Sequence, residues 1–190
     1  PIDKTVCRSI LGLPQDKIIL LFVSQGVGKI RKGFNILMES LQLLSDSRVI
    51  LCSVGESDIQ NKQKYPFCIS LNSINDQRLM PVAYNAADAF VIPSIEDNLP
   101  NTMLESLACG VPVIGFAIGG MLDAIKDGYN GLIGAEVSPK ALAKNITNFI
   151  SKKNTFDLNS IRVDAERRFN PTVQANAYIN LYNRILQKNF

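Results

Sequence analysis

Short apolar runs alternate along the chain with segments whose apolar residues recur at helical spacing. The run KIILLFVS at 17–24 contains several β-branched residues, which predicts a strand buried on both faces. Similar runs predict further strands at 48–55, 66–71, 88–94, 111–116 and 130–135. Helical periodicity lies between and after them, at 34–44, 76–87, 101–110, 119–128, 138–153 and 171–188. This order predicts an α/β fold, a doubly wound, Rossmann-like, mostly parallel sheet with helices on both faces.

The 190 residues fit a single domain. No linker divides them, and the polar segments 57–64 and 152–160 are interpreted as loops within that domain. Ser138 before Pro139 predicts a helix start, because serine is a favoured N-cap and proline a favoured first helical residue. Pro81 is awkward as an interior residue of the helix predicted at 76–87.

Composition narrows the classes of function. The net charge of +3 is too mild to indicate a nucleic-acid partner. Because the sequence contains no histidine, His-dependent catalytic triads and the usual zinc sites are excluded within these residues. The four cysteines form no C-x-x-C pair, which indicates reduced, buried thiols of a cytosolic protein. No apolar run approaches the ~18 residues of a membrane span.

The segment SQGVGKIRKGF (24–34) is a glycine-rich loop between a predicted strand and a predicted helix. Arg31 replaces the third glycine of the dinucleotide pattern G-x-G-x-x-G, and Phe34 replaces the lysine of the P-loop pattern. Near the helix N-terminus lie three cations, Lys29, Arg31 and Lys32. The helix dipole disfavours cations there, unless an anion lies between them and the end of the helix. An anion site and a solvated basic loop both fit these residues.

The stretch PSIEDNLPNTMLESLACGVPVIG (93–115) follows the strand predicted at 88–94. Its helix is expected to begin near Asn101 or Thr102, just after Pro100. The free backbone N–H groups of that first turn form a natural phosphate site. Ligands of doubly wound sheets bind at this edge, where the strands end.

The same stretch carries acids above the strand. Glu96 and Asp97 lie on the loop, and Glu105 lies about one turn into the helix. Backbone amides can bind phosphate groups, and carboxylates can accept hydrogen bonds from sugar hydroxyl groups. Their combination in one stretch indicates a sugar nucleotide as the ligand. The alternative is that Asp97 or Asn98 only caps the helix and that Glu105 is a surface residue.

Gly119 and Gly120 follow the strand predicted at 111–116. Glycines at this edge would let the backbone approach a ligand closely. A simple turn explains them equally well.

Several of these segments together resemble the group 1 glycosyltransferases. The stretch from YNAADAFVIPS through NGLI is similar to the signature region of that family, and LLFVSQGVGKIRKGFNILMESLQLL and ILCSVGES are similar to its preceding blocks, in the same order. The resemblance spans about residues 5–185. It implies the GT-B architecture, in which two Rossmann-like domains face each other across a cleft. This chain is similar to the C-terminal, donor-binding domain, so the N-terminal acceptor domain is expected outside it.

The resemblance also implies an activity. Enzymes of this family transfer a sugar from a nucleoside diphosphate, here expected to be UDP or GDP, with retention of configuration and without a metal or other cofactor. The acceptor is expected to be a carbohydrate or a lipid-linked molecule in polysaccharide biosynthesis, bound through the N-terminal domain. The expected location is the cytoplasm, with peripheral association at the membrane as an option. A non-catalytic nucleotide-sugar binding module is the alternative, whereas the failed glycine pattern disfavours an oxidoreductase.

Catalytic residues follow from the resemblance. Lys32 is implied to neutralise the diphosphate. The first acid of the family's motif is Asp97 in register, or Glu96 if the loop shifts by one residue. Glu105 is implied to bind the ribose hydroxyls.

In the family an arginine accompanies the lysine at the diphosphate, and the position of that arginine corresponds to Gln25 in this sequence. Arg31 or Lys29 is therefore expected to supply its charge, unless the donor is held differently. Asn72 stands where a glycine often follows the strand beside the base. The donor-binding residues predicted in this way are Gln25, Arg31, Lys32, Asn72, Asn98, Leu99, Pro100, Asn101, Thr102, Glu105, Gly119 and Gly120.

Overall fold

The strands form one parallel sheet. A computed structural model of the chain describes residues 2–24, 30–55 and 65–187. Its strands are β1 (Ile18–Val23), β2 (Val49–Val54), β3 (Cys68–Ser70), β4 (Ala89–Ile92), β5 (Val113–Phe116) and β6 (Gly131–Gly134). Their spatial order is β3-β2-β1-β4-β5-β6, and each neighbouring pair is parallel. The predicted doubly wound sheet is confirmed.

Helices cover both faces of this sheet. They are α1 (Lys4–Leu11), α2 (Phe34–Leu44), α3 (Met80–Ala86), α4 (Asn101–Ala108), α5 (Met121–Ala124), α6 (Pro139–Lys152), α7 (Leu158–Phe169) and α8 (Pro171–Gln187). The Phe22 ring of β1 packs on Phe34 of α2, and the Phe90 ring of β4 packs on Tyr84 of α3. Because Leu21 pairs with Phe90 and neighbouring residues of a strand face opposite ways, α2 and α3 lie on opposite faces.

Two of these helices were absent from the prediction. Helix α1 was not anticipated, and α7 begins inside the segment 152–160, which was interpreted as a loop. Asp157 caps α7 by accepting hydrogen bonds from the backbone of Asn159 and Ser160. The apolar residues that α7 buries are only Ile161 and Ala165, so its apolar face is too short to show as periodicity.

Serine and proline mark the start of α6 as expected, whereas Pro81 is not the interior helical residue that was predicted. The Ser138 hydroxyl accepts a hydrogen bond from Ala141 N, and Pro139 is the first residue of α6. Pro81 lies in the first turn of α3 because a 3₁₀ turn, Gln77–Leu79, precedes that helix. The first turn has no intrahelical acceptor for its amide groups, so the missing N–H of proline costs nothing there.

The chain changes direction in the sheet at β1. From β1 it runs outward to β2 and β3, then crosses back to β4 on the other side of β1. The loops after β1 and β4 therefore diverge and leave a crevice at the carboxyl ends of the strands. Leu20 pairs with Ala89 and Leu21 with Phe90 across this boundary.

All four cysteines are free. Cys7, Cys52 and Cys68 are buried as expected, whereas Cys109 is only half-buried. No helix in the described part of the chain has the length and apolar character needed to cross a membrane.

Candidate functional site

A crevice of about 1110 Å³ opens at the carboxyl edge of the sheet. Its walls are the ends of β1 and β2, the segment 73–75, and the facing sides of α3 and α4. Of the predicted donor-binding residues, those that line it are Arg31, Lys32, Asn101, Thr102 and Glu105. The structure thus brings both the basic loop and the start of the acidic helix to one cavity.

Lys32 meets Asp97 at the edge of this crevice. The Lys32 Nζ lies 2.7 Å from Asp97 Oδ2. The Ser94 hydroxyl donates to the same oxygen at 3.2 Å. The cation that the sequence placed unfavourably at the start of α2 therefore has an anionic partner 65 residues away in the chain, so Lys32 is not part of a merely solvated loop.

Arg31 binds the same loop through backbone and side chain. Its Nη1 donates to the Glu96 carbonyl oxygen at 3.2 Å and lies 3.5 Å from Asp97 Oδ1. Its own carbonyl oxygen accepts from Ile95 N at 2.9 Å. Asp97 is therefore the acid whose carboxylate contacts the two cations, while Glu96 contributes a backbone oxygen and its side chain is exposed.

The two cations set the protonation state of Asp97. Partial burial acts to raise the pKa of this carboxyl, but the hydrogen bond and the charge of Lys32 outweigh that effect, with further contributions from Ser94 and Arg31. The pKa of Asp97 therefore lies below its ordinary value, and the side chain is ionised at neutral pH.

Helix α4 begins at Asn101, as predicted, with Pro100 at its N-cap. No side chain caps it, so the alternative that Asp97 or Asn98 serves only as its cap is wrong. Met103 N and Leu104 N donate to the Pro100 carbonyl oxygen. The amides of Asn101 and Thr102 are the outermost at the helix N-terminus, where free N–H groups attract anions.

Glu105 faces the crevice from one turn further along α4. Its Oε2 accepts a hydrogen bond of 2.8 Å from the Tyr84 hydroxyl, and the sequence did not predict this contact. The available signal was Tyr84 itself, because a tyrosine among the apolar positions of a helix needs a polar partner for its hydroxyl.

Gly119 and Gly120 pack against the backbone of the acidic loop. A β-carbon would lie 2.0 Å from the Asp97 carbonyl oxygen at Gly119 and 2.4 Å from that of Asn98 at Gly120. Gly120 N also donates a hydrogen bond to Asn98 O. In this structure the two glycines therefore let the backbone after β5 pack directly against the acidic loop.

Asn72 adopts a left-handed backbone conformation, with φ of 56°. This conformation favours glycine, and asparagine tolerates it better than most other residues. Its carbonyl oxygen accepts from Gly55 N at 2.8 Å, which joins the loop after β3 to the end of β2. The residues that follow it, 73–75, line the crevice.

The remaining predicted site residues lie on the loop before α4 or outside the described residues. Asn98 and Leu99 are exposed on the loop between β4 and α4, and Pro100 is buried there. Gln25 and Lys29 lie outside the described residues. Within the described ranges, no group of three acidic or cysteine side chains is placed to hold a metal ion.

The sequence matches a protein family and is similar to several curated proteins. Residues 3–162 match the family described as Glycosyl transferases group 1. The D-inositol 3-phosphate glycosyltransferase of Streptosporangium roseum is 29% identical over 169 residues, which are 80% of this chain and 39% of that protein. The corresponding enzyme of Frankia alni is 30% identical over 163 residues, 77% of this chain and 40% of that protein.

Two solved structures share the fold. Sucrose-phosphate synthase from Thermosynechococcus elongatus superposes with a TM-score of 0.81 at 25% identity, over 99% of this chain and 50% of that one. Anabaena HepE in complex with UDP-glucose gives a TM-score of 0.78 at 20% identity, over 96% of this chain and 53% of that one. The chain thus spans about half of these solved chains and about two fifths of the curated relatives.

Proposed function

The chain belongs to the group 1 glycosyl transferases, and on this premise we propose that it binds a nucleoside-diphosphate sugar in the crevice at the carboxyl ends of β1 and β2. One observation carries the proposal: Lys32, the N-terminus of α4 and the Glu105 carboxylate line the same cavity. Cations and helix amides suit a diphosphate, and a carboxylate suits ribose hydroxyls. The UDP-glucose in the structure of Anabaena HepE, which shares this fold, supports the choice of ligand class.

The chemistry proposed for these residues is stabilisation of the leaving diphosphate. As the bond to the sugar breaks, negative charge develops on the phosphate oxygens. The Lys32 ammonium and the amides of Asn101 and Thr102 are fixed donors for that charge, and prearranged donors need no reorganisation during the reaction. Arg31 lines the same cavity, so we assign it the second charge that the family's arginine would supply.

Asp97 is the first acid of the motif in this proposal. It is ionised and lies against Lys32, so it can accept hydrogen bonds from the donor sugar beside the diphosphate. We propose that the sugar is a hexose and that transfer retains its configuration without a metal ion. Positioning of the donor, rather than proton transfer, then provides most of the rate.

The remaining parts of the reaction belong to the whole protein. We propose a carbohydrate or lipid-linked acceptor, bound largely by residues outside this chain, which spans only about two fifths of its curated relatives. Polysaccharide assembly at the cytoplasmic face of the membrane fits such an acceptor.

Calorimetric titration with UDP, GDP and NAD, in the presence of EDTA, tests this proposal. We expect UDP or GDP to bind and NAD not to bind. Lys32→Ala should weaken that binding about tenfold or more, because a hydrogen bond to a charged group contributes about 1.5–3 kcal/mol. Lys144→Ala, which removes an exposed lysine on α6, is the matched control and should bind normally. Tight binding of NAD without UDP or GDP, or a strict need for metal, would contradict the proposal.

A further inference from the structure

We propose that Tyr84 is a positioning residue, which holds the Glu105 carboxylate so that its second oxygen receives a ribose hydroxyl of the bound nucleotide. This inference rests on the proposed function, and it assigns a role to a buried side chain, Tyr84, to which the resemblance gave none.

Tyr84 is itself rigidly held. Its side chain is among the largest fully buried ones, with 1% of its surface exposed. Its ring packs edge to face on Phe90 of β4, with centroids 5.8 Å apart and planes at 78°. A tyrosine fixed on the sheet in this way offers its hydroxyl at one defined point of the crevice wall.

Glu105, in contrast, is exposed at the crevice. A free glutamate on a helix surface loses rotamer freedom when a ligand fixes it, and that loss weakens binding. The 2.8 Å hydrogen bond from the Tyr84 hydroxyl to Oε2 restrains the side chain before any ligand arrives. Oε1 keeps lone pairs for an incoming hydroxyl group.

At neutral pH the Tyr84 hydroxyl is always the donor of this hydrogen bond. Burial and the neighbouring Glu105 carboxylate both raise the pKa of Tyr84. Tyr84 therefore remains protonated and remains the donor.

The test compares a ribonucleotide with its 2′-deoxy and 3′-deoxy analogues, using UDP or GDP, whichever binds more tightly. Tyr84→Phe keeps the ring and its contact with Phe90 but removes the hydroxyl. We expect this variant to bind the ribonucleotide about three- to tenfold more weakly, within the range of couplings between contacting residues. Its affinity for the analogue that lacks the recognised hydroxyl should be nearly unchanged. A purely structural role would weaken all of the nucleotides equally.

Tyr129→Phe is the matched control. The Tyr129 hydroxyl also donates one hydrogen bond, to Ser160 O at 3.1 Å, but it lies before β6, at the opposite edge of the sheet. This variant should bind as the unsubstituted chain does. In a double-mutant cycle, Tyr84→Phe should have little further effect when Glu105→Ala is present, because the carboxylate that Tyr84 holds is then absent.

Glu105→Asp is a second variant that leaves Tyr84 in place. Its shorter side chain cannot reach both Tyr84 and the ribose, so the same loss of discrimination is expected. Full discrimination by Tyr84→Phe would overturn this inference alone. If that variant does not fold, full discrimination by Glu105→Asp would overturn this inference and also the ribose contact of Glu105 in the proposed function. No binding of any nucleotide by the unsubstituted chain would overturn the proposed function together with it.

Discussion

A β-carbon at Gly33 would lie 1.8 Å from the carbonyl oxygen of Pro93, and this single position joins the two loops of the candidate site. Gly33 precedes α2 in a left-handed conformation, directly after Lys32. Pro93 precedes Ser94 and the acidic loop. Because no side chain separates the two backbones, Lys32 can reach Asp97 at 2.7 Å.

Gly33→Ala should therefore destabilise the protein strongly. Gly12→Ala is the control, since Gly12 has a nearly equal φ, +64° against +67°, but nothing within 4 Å of its β-carbon position. The control should lose about 1–2 kcal/mol through backbone conformation alone. Gly33→Ala should lose at least about 2 kcal/mol more through overlap. Urea denaturation measures both, and equal losses would show that the two loops are not held in contact.

Helix α1 is attached to the sheet by a buried ion pair at the edge opposite the site. Arg8 is 4% exposed, and its Nη2 lies 2.7 Å from Asp88 Oδ2. Its Nε donates to Ala86 O at 2.9 Å, while Asp88 also accepts from Ile19 N at 2.8 Å. Asp88 therefore connects α1 to the starts of β1 and β4.

Asp88→Asn should unfold more easily, by about 3 kcal/mol at pH 7, because it leaves the Arg8 charge buried without its partner. Burial acts to raise the pKa of Asp88, but Lys4, Ile19 N and Arg8 lower it below its ordinary value. A carboxyl with a lowered folded pKa contributes stability above its unfolded pKa of about 4 and loses it as the pH falls further.

The difference between Asp88→Asn and the unsubstituted chain should accordingly shrink below about pH 4. Chemical denaturation across pH 3–7 measures it. Asp76→Asn breaks an exposed pair with Arg78 and should unfold close to the unsubstituted chain. A difference for Asp88→Asn that stays constant down to pH 3 would contradict the role given to the ion pair.

At the scale of the whole molecule, α8 stands apart from the core. None of its 17 residues is buried, although Tyr178, Tyr182 and Ile185 are among those that expose large apolar surfaces. The resemblance implies that this helix follows the segment that crosses back to the N-terminal domain. The crevice also opens on one side, so a bound donor would face water in this chain alone.

The 190-residue chain should therefore bind the donor nucleotide weakly and transfer no sugar by itself. The full-length protein should bind the donor and also transfer its sugar. Calorimetry measures the first property. A transfer assay with labelled UDP- and GDP-sugars and a panel of carbohydrate and lipid-linked acceptors measures the second. Robust transfer by this chain alone would contradict the prediction and would place the whole active site in the crevice described above.

Local signals were sufficient for the order of the strands and of the helices between them, and for the stretch that lines the crevice. Continuous apolar runs predicted each strand because strands of a parallel sheet are buried on both faces. Ser138 and Pro139 predicted the start of α6 for an equally local reason, the unpaired amides of a first helical turn. Helix α7 shows no such local signal, because it buries so few apolar residues.

The contacts within the site required the tertiary structure. Lys32 and Asp97 are 65 residues apart, and Tyr84 and Glu105 are 21 apart. No local periodicity relates such pairs, since they meet only because β4 returns beside β1 and brings the following loops together. The sequence by itself determined which residue types reach the carboxyl edge of the sheet. The order of the strands decided which of them touch, because that order depends on packing between distant segments.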